Sequence, residues 1–236
     1  MTGAMSAERK LLYWYGRTQD GEGPFKLADW VRPLWELARQ GQWEKVFETF
    51  EQGREAEAAQ SWPYLNAACP FHDYHYSFLH FAAHQGAPSD VVQRMLDMGA
   101  WRSLQNAHGE RPLDVARKHD HAHLLSVLEP RYQRQVPLGV LTKMQEHFHA
   151  AMRRWDNLGP KLDQHALRLP QLEPMLEVGQ AEFRFDVFFW AGGFNYELVQ
   201  EGIEAKLVCF GASRVSGGTE GKIEVTPSAA KGVPWR

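Results

Sequence analysis

Eleven histidines are distributed over this chain of 236 residues, and most fall in three short strings where imidazole chemistry has to be weighed first. His119-Asp120-His121-Ala122-His123 offers three imidazoles and a carboxylate within five positions, and imidazole nitrogens suit zinc, nickel or copper. Alternating residues on a helix diverge by roughly 200°, however, so a helical setting would not gather these rings on one ion. A surface or helix-start role competes with the metal reading, and no metal site is expected. Phe71-His72-Asp73-Tyr74-His75-Tyr76 interleaves imidazoles with aromatic rings in a proline-bearing stretch, the composition of a packed loop or of one that recognises a partner. Glu146-His147-Phe148-His149 lacks the H-E-x-x-H order that sets two imidazoles on successive helical turns, which excludes a zinc protease of that kind. Near the end of the chain, Arg214 beside Gly217-Gly218, with Tyr196 and Glu197 on a candidate strand, is the remaining group that could take a small ligand. A buried Arg–Glu ion pair is the plainer alternative. Nucleophile-elbow, phosphate-loop and dinucleotide-binding motifs are absent, so neither catalytic residues nor a cofactor is expected.

The elements that must carry these residues begin with a repeated helical pattern. Leu79-His80-Phe81-Ala82-Ala83-His84-Gln85-Gly86 is followed by Val91-Val92, Met95-Leu96 and Gly99-Ala100. Then Asn106-Ala107-His108-Gly109-Glu110-Arg111-Pro112-Leu113-Asp114-Val115-Ala116 opens a second copy, which Leu124-Leu125 and Val127-Leu128 close. This resembles the ankyrin repeat, with a spacing of 34 positions from Leu79 to Leu113. A degenerate earlier copy fits the same frame through Leu34, Leu37-Ala38, Gly41, Val46, Phe50 and Gly53, and leaves an insertion between Glu51 and Tyr76. Small residues at Ala82, Ala83 and Ala116 let paired helices approach closely, and Pro112 suits a helix's first turn. One repeat cannot bury its own face, so a short array needs caps. The aromatic start, with Tyr13, Trp14, Tyr15, Phe25 and Trp30, is expected to supply the N-terminal cap. Leu138, Leu141, Met144, Phe148 and Met152 recur every three to four residues and predict a further amphipathic helix, ended by Gly159-Pro160.

After Pro174 the pattern changes to short alternating runs, Phe183–Phe188, Phe194–Leu198, Lys206–Phe210 and Lys222–Thr226, punctuated by glycines. They predict a small antiparallel sheet of about four strands. The strings Gly192-Gly193-Phe194-Asn195-Tyr196-Glu197-Leu198 and Ser213-Arg214-Val215-Ser216-Gly217-Gly218 resemble a small bacterial domain to which no activity is attached. The fold class expected is therefore α+β: a capped helical repeat array over 1–130, a linking helix and loop over 131–169, and a small antiparallel β domain over 170–236.

Charge narrows the partner. The half before Pro130 carries 13 basic and 17 acidic residues and the half after it 13 and 12, with no basic face for nucleic acid. Cys69 and Cys209 form no C-x-x-C spacing, Met1–Lys10 lacks the apolar core of a secretory signal, and no apolar run is long enough to span a membrane. A cytoplasmic protein is expected. The ankyrin resemblance implies a protein partner held by the hairpin tips and the helix positions after the Ala-Ala pair. Those are Trp101, Arg102, Ala107, His108 and Glu110, then Arg39 and Gln40, His84 and Gln85, and Lys118 and His119, with His72, Tyr74 and His75 from the adjoining loop. Trp101 stands out, because ankyrin hairpins usually carry aspartate there and an exposed indole is a favoured interface anchor. Among bacterial proteins of this layout a fitting role is immunity, in which the chain occludes a toxin made by its own cell. A regulatory adaptor, or a ligand-binding or enzymatic C-terminal unit targeted by the repeats, is the alternative.

Overall fold

The computed structural model describes residues 10–19, 31–56, 62–213 and 220–235. Helices come in pairs through the first half: α1 (Val31–Arg39) with α2 (Trp43–Ala56), α3 (Phe78–Gln85) with α4 (Ser89–Asp97), and α5 (Pro112–Lys118) with α6 (Leu125–Leu128). The pairs stack so that α3 lies between α1 and α5 while α4 meets α6. Ala82, Ala83 and Ala116 are fully buried, as the close approach of α3 and α5 demands. Leu34, Val46, Phe47, Leu79, Val92, Met95, Val115, Leu124 and Leu128 complete one continuous core.

Each pair turns at a residue in the left-handed region: Gly41 (φ 69°), Gly86 (φ 62°) and, in the third pair, Asp120 (φ 59°). At Gly86 a side chain is excluded twice, by the backbone and by the His121 ring, which would lie 2.6 Å from a Cβ. Asp120 pays the steric cost that glycine avoids in the first two pairs. Asp120→Gly is therefore expected to raise stability by up to about 1 kcal/mol, or a few degrees in Tm, in urea and thermal unfolding. A loss of stability would mean that the aspartate side chain contributes more than its backbone conformation costs.

Two hairpins precede α3 and α5. In the first, Cys69 N–H donates to Tyr76 O (2.8 Å) and His75 N–H to His72 O (2.7 Å); in the second, Asn106 N–H donates to Glu110 O (2.8 Å). Ala107 N–H donates to Tyr74 O (2.9 Å) and joins them. Residues 69–76 thus form the hairpin of the α3 unit, and the inserted residues lie upstream, where a 3-10 turn spans Trp62–Asn66. His80 ties the two levels together. Ser77 N–H and Oγ meet its Nδ1 at 3.3 and 2.7 Å, and its Nε2 meets Glu110 O at 3.0 Å. Nε2 must then carry the proton, since a carbonyl only accepts. Burial pushes the His80 pKa down to about 3, so the ring stays neutral.

The sheet has six strands in sequence order: β1 (Lys10–Trp14), β2 (Ala181–Val187), β3 (Gly192–Gln200), β4 (Lys206–Ser213), β5 (Glu220–Val225) and β6 (Ala230–Trp235). The expected runs form β2 to β5, but two strands escape the four-stranded antiparallel expectation. Strand β6 carries Gly232 and Pro234 and lacks apolar alternation, and proline is tolerated because this is an edge strand. Strand β1 pairs in parallel with β2, bringing the N-terminal segment into the C-terminal sheet. Trp14 accordingly belongs to the sheet core, donating from Nε1 to Arg168 O (2.9 Å), rather than to a cap on the helix pairs. Tyr15 does turn toward the helices, with its ring 4.7 Å from Tyr64. Phe25 and Trp30 lie outside the described residues. The sheet is consequently not a unit of 170–236 alone.

One face of the sheet packs on α7 (Leu138–Arg154), with α8 (Gly159–Gln164) and α9 (Pro174–Glu177) beside it. Phe183, Phe185, Tyr196, Leu207, Cys209, Ile223 and Val225 point inward against Met144, Phe148 and Met152. The architecture is mixed, helices plus a six-stranded sheet. Among the described residues no helix is long and apolar enough to cross a membrane.

Candidate functional site

The ends of the inner helices and the hairpin tips converge on one face. His84 closes α3 and meets His119, just past α5, edge to face at 4.2 Å. Tyr76 of the first hairpin touches both His72 (4.7 Å) and His84 (5.8 Å), while His119 continues to His121 (6.2 Å). A second branch runs from His72 to Tyr74 (5.6 Å) and on to His108 (4.2 Å). Lys118 Nζ sits 5.4 Å from the Tyr74 ring and donates to Glu110 Oε1 at 2.9 Å. Gln85 Nε2 donates to Arg39 O (2.9 Å), attaching α1 to the same surface. The structure therefore brings together His72, Tyr74, His84, Gln85, His108, Glu110, Lys118 and His119. His75 does not share in the face. Its Nδ1 lies 3.1 Å from Cys69 O and its φ is 49°, so the ring closes its own hairpin.

Phe71, on the first hairpin, is exposed although its sequence neighbourhood does not single it out. Its ring is 49% exposed, far more than a core aromatic, and lies 4.5 Å from the Arg32 guanidinium. One phenylalanine in a string of aromatics looks like core, and only the hairpin geometry turns it outward.

Electrostatics favour the neutral form of His72 and His84 in the free protein. Burial holds the His84 pKa below its ordinary value, and His119, His72, His121 and Lys118 push the same way. Its Nδ1 is enclosed with no hydrogen-bond partner, which further disfavours the doubly protonated ring. His72 is lowered chiefly by burial, against the pull of Asp73 and with a push from His75 and Arg39. Glu110 is held below the usual carboxylate range by hydrogen bonds from Asn106 and Lys118. His121 Nε2 and His123 Nε2 lie 3.1 Å from the carbonyls of His84 and Ala87. Among the described residues no three of His, Cys, Asp and Glu are grouped to hold a metal ion.

Trp101 and Arg102 are not on this face. Trp101 is only 5% exposed, stacks parallel on Trp14 with centroids 6.4 Å apart, and lies 5.7 Å from Phe183. Its backbone N–H donates to Asn66 Oδ1 at 2.9 Å. Arg102 donates from Nε to Val127 O (2.9 Å) and from its backbone N–H to Glu177 Oε2 (3.0 Å). Next to it, Glu177 Oε1 accepts from both Ser103 N–H and Ser103 Oγ. Arg111 and Tyr132 both reach Glu173, also on this side. The turn around 101–103 is thus an internal joint between the helix pairs and the sheet, because the C-terminal half folds back over it. Repeat periodicity alone cannot foresee that.

Two residues of the candidate C-terminal site, Tyr196 and Glu197, face opposite sides of β3. Tyr196 is fully buried, its phenol pushed well above its ordinary pKa by desolvation. Arg214 lies outside the described residues. No family model matches the chain, and no curated protein matches it either.

Proposed function

We propose that this chain is a cytoplasmic protein-binding module of the ankyrin type, and that it docks its partner on the face formed by α1, α3, α5 and the two joined hairpins. One observation carries the proposal: His72, Tyr74, His84, His108, Lys118 and His119 come from the two hairpins and the ends of α3 and α5 yet meet on one half-exposed surface. Aromatic and cationic side chains on a rigid scaffold are the material of interface anchors. The partner is a toxin made by the same cell, which the face blocks by covering its active cleft. No bond is made or broken in such inhibition.

The double variant His84→Ala, His119→Ala tests this. These side chains are exposed or half-buried, so circular dichroism should show a folded protein. A partner captured stoichiometrically from native lysate by the intact chain should bind the variant about a hundredfold more weakly. Co-expression with the toxin encoded beside it should restore growth only for the intact chain. A partner retained equally by the variant would remove this face from the proposal.

A further inference from the structure

The charges on the docking face are arranged unevenly. Four carboxylates stand among its cationic groups, and two are already engaged. Glu36 is held by Arg39 at 2.6 Å and Glu110 by Lys118 at 2.9 Å. Asp73 remains, beside His72 on the hairpin, and Asp120 follows His119 on the turn after α5. Against them stand five imidazoles: His72 and His108 from the hairpins, His84 from α3, and His119 and His121 around the turn after α5. His84 is the centre of this group. The charged neighbours acting on it are His119 and Lys118 from the α5 side, His121 beyond them and His72 from the hairpin. All of these are cations or potential cations.

We propose that this face docks a carboxylate-rich segment of its protein partner, and that docking tightens as the pH falls from about 7.5 to about 6. This rests on the protein-binding function above and gives the partner a chemistry. In the free protein, burial and mutual repulsion keep His72 and His84 neutral. An arriving carboxylate reverses the balance, because it supplies the opposite charge these rings lack and raises their pKa values in the complex. Protons are then taken up on binding. Affinity must rise as the pH falls through the complex pKa values, and it levels off below those of the free protein. A basic partner would meet the protonated imidazoles as like charges, and would bind less well at the lower pH.

The test uses a fluorescent hexaglutamate peptide, with hexaglutamine as its uncharged match, titrated against the full chain at the two pH values. Hexaglutamate should bind about tenfold more tightly at pH 6 than at pH 7.5, and hexaglutamine at neither. His72→Gln, His84→Gln should abolish the difference. His72→Gln alone, at a half-buried position, should reduce it if the double variant does not fold. His147→Gln on α7, away from the face, should leave it intact. Equal affinity at both pH values, equal binding of the two peptides, no binding at pH 6, or the same loss with His147→Gln would each overturn the proposal. If a captured protein partner needs the face while hexaglutamate does not bind, only the acidic chemistry fails. If that partner ignores the face, the docking function itself fails first.

Discussion

Trp101→Ala should cost about 3–5 kcal/mol of folding stability, among the largest effects of any single truncation in this protein. The indole is nearly fully buried between Trp14 of β1 and Phe183 of β2, in the cluster that also holds Leu104 and Val136. Truncation removes its own transfer free energy and leaves a cavity the size of a bicyclic ring. The walls of that cavity come from segments that cannot easily collapse, because Trp14 is fixed by its bond to Arg168 O and Phe183 by its place in the sheet. Urea unfolding followed by fluorescence should show the midpoint fall, and hydrogen exchange should rise in β1 and around 101–104. Trp101→Phe, which keeps much of the volume, should lose far less and bind any partner as the intact chain does. A loss below about 1 kcal/mol for the alanine variant would mean that Trp101 is exposed in solution, and its role as a docking anchor would return.

This residue also marks where sequence reasoning reaches its limit. The helix pairs could be read from Leu79, the Ala82-Ala83 pair, Gly86 and Pro112, because each of these answers a local demand: a buried stripe, a close helix approach, a left-handed turn, a helix start. Strands β2 to β5 were equally readable from alternation. The face residues His84, Lys118 and His119 follow directly from their positions relative to the small alanines. What could not be read is what depends on chain segments meeting from opposite ends. Lys10–Trp14 pairs with Ala181–Val187, and that pairing changes the fate of Trp14 and Trp101 together. A tryptophan where the ankyrin resemblance implies aspartate looks like an anchor until the partner that buries it is known to be the chain's own sheet. Strand β6 was hidden for a different reason, since Gly232 and Pro234 break the periodicity that identifies a strand. Phe71 lay hidden in a run of aromatics whose inward and outward members are sorted only by the hairpin turn at 72–75.

The same fold-back makes Glu177 the polar counterpart of Trp101. In sequence it is an ordinary acid in Pro174–Glu177, yet its carboxylate is buried and receives three donors from the opposite half of the chain. Oε1 accepts from Ser103 N–H (2.6 Å) and Ser103 Oγ (2.5 Å), and Oε2 from Arg102 N–H (3.0 Å). Glu177→Ala strands two buried backbone donors and should cost about 3 kcal/mol or more. Glu177→Gln keeps one oxygen for Ser103 but turns an amide NH2 toward Arg102 N–H, donor against donor, and should cost about 1–2 kcal/mol at neutral pH. Acidity separates the two terms. Burial raises the Glu177 pKa above its ordinary 4.5, outweighing the three hydrogen bonds and the charge of Arg102 that pull it down. A carboxyl whose folded pKa lies above its unfolded one stabilises most when protonated, below the unfolded value. That contribution is lost as the pH rises from 4.5 through the folded pKa. Glu177→Gln cannot titrate, so its deficit relative to the native chain should be larger near pH 4.5 than at pH 7, as measured by urea unfolding at both. An unchanged deficit would show that Glu177 is already charged throughout, held by its three donors, and that desolvation does not govern the joint. An alanine variant that loses less than about 1 kcal/mol would show that the turn at 101–103 stays seated without this carboxylate, leaving the stacked tryptophans to close it alone.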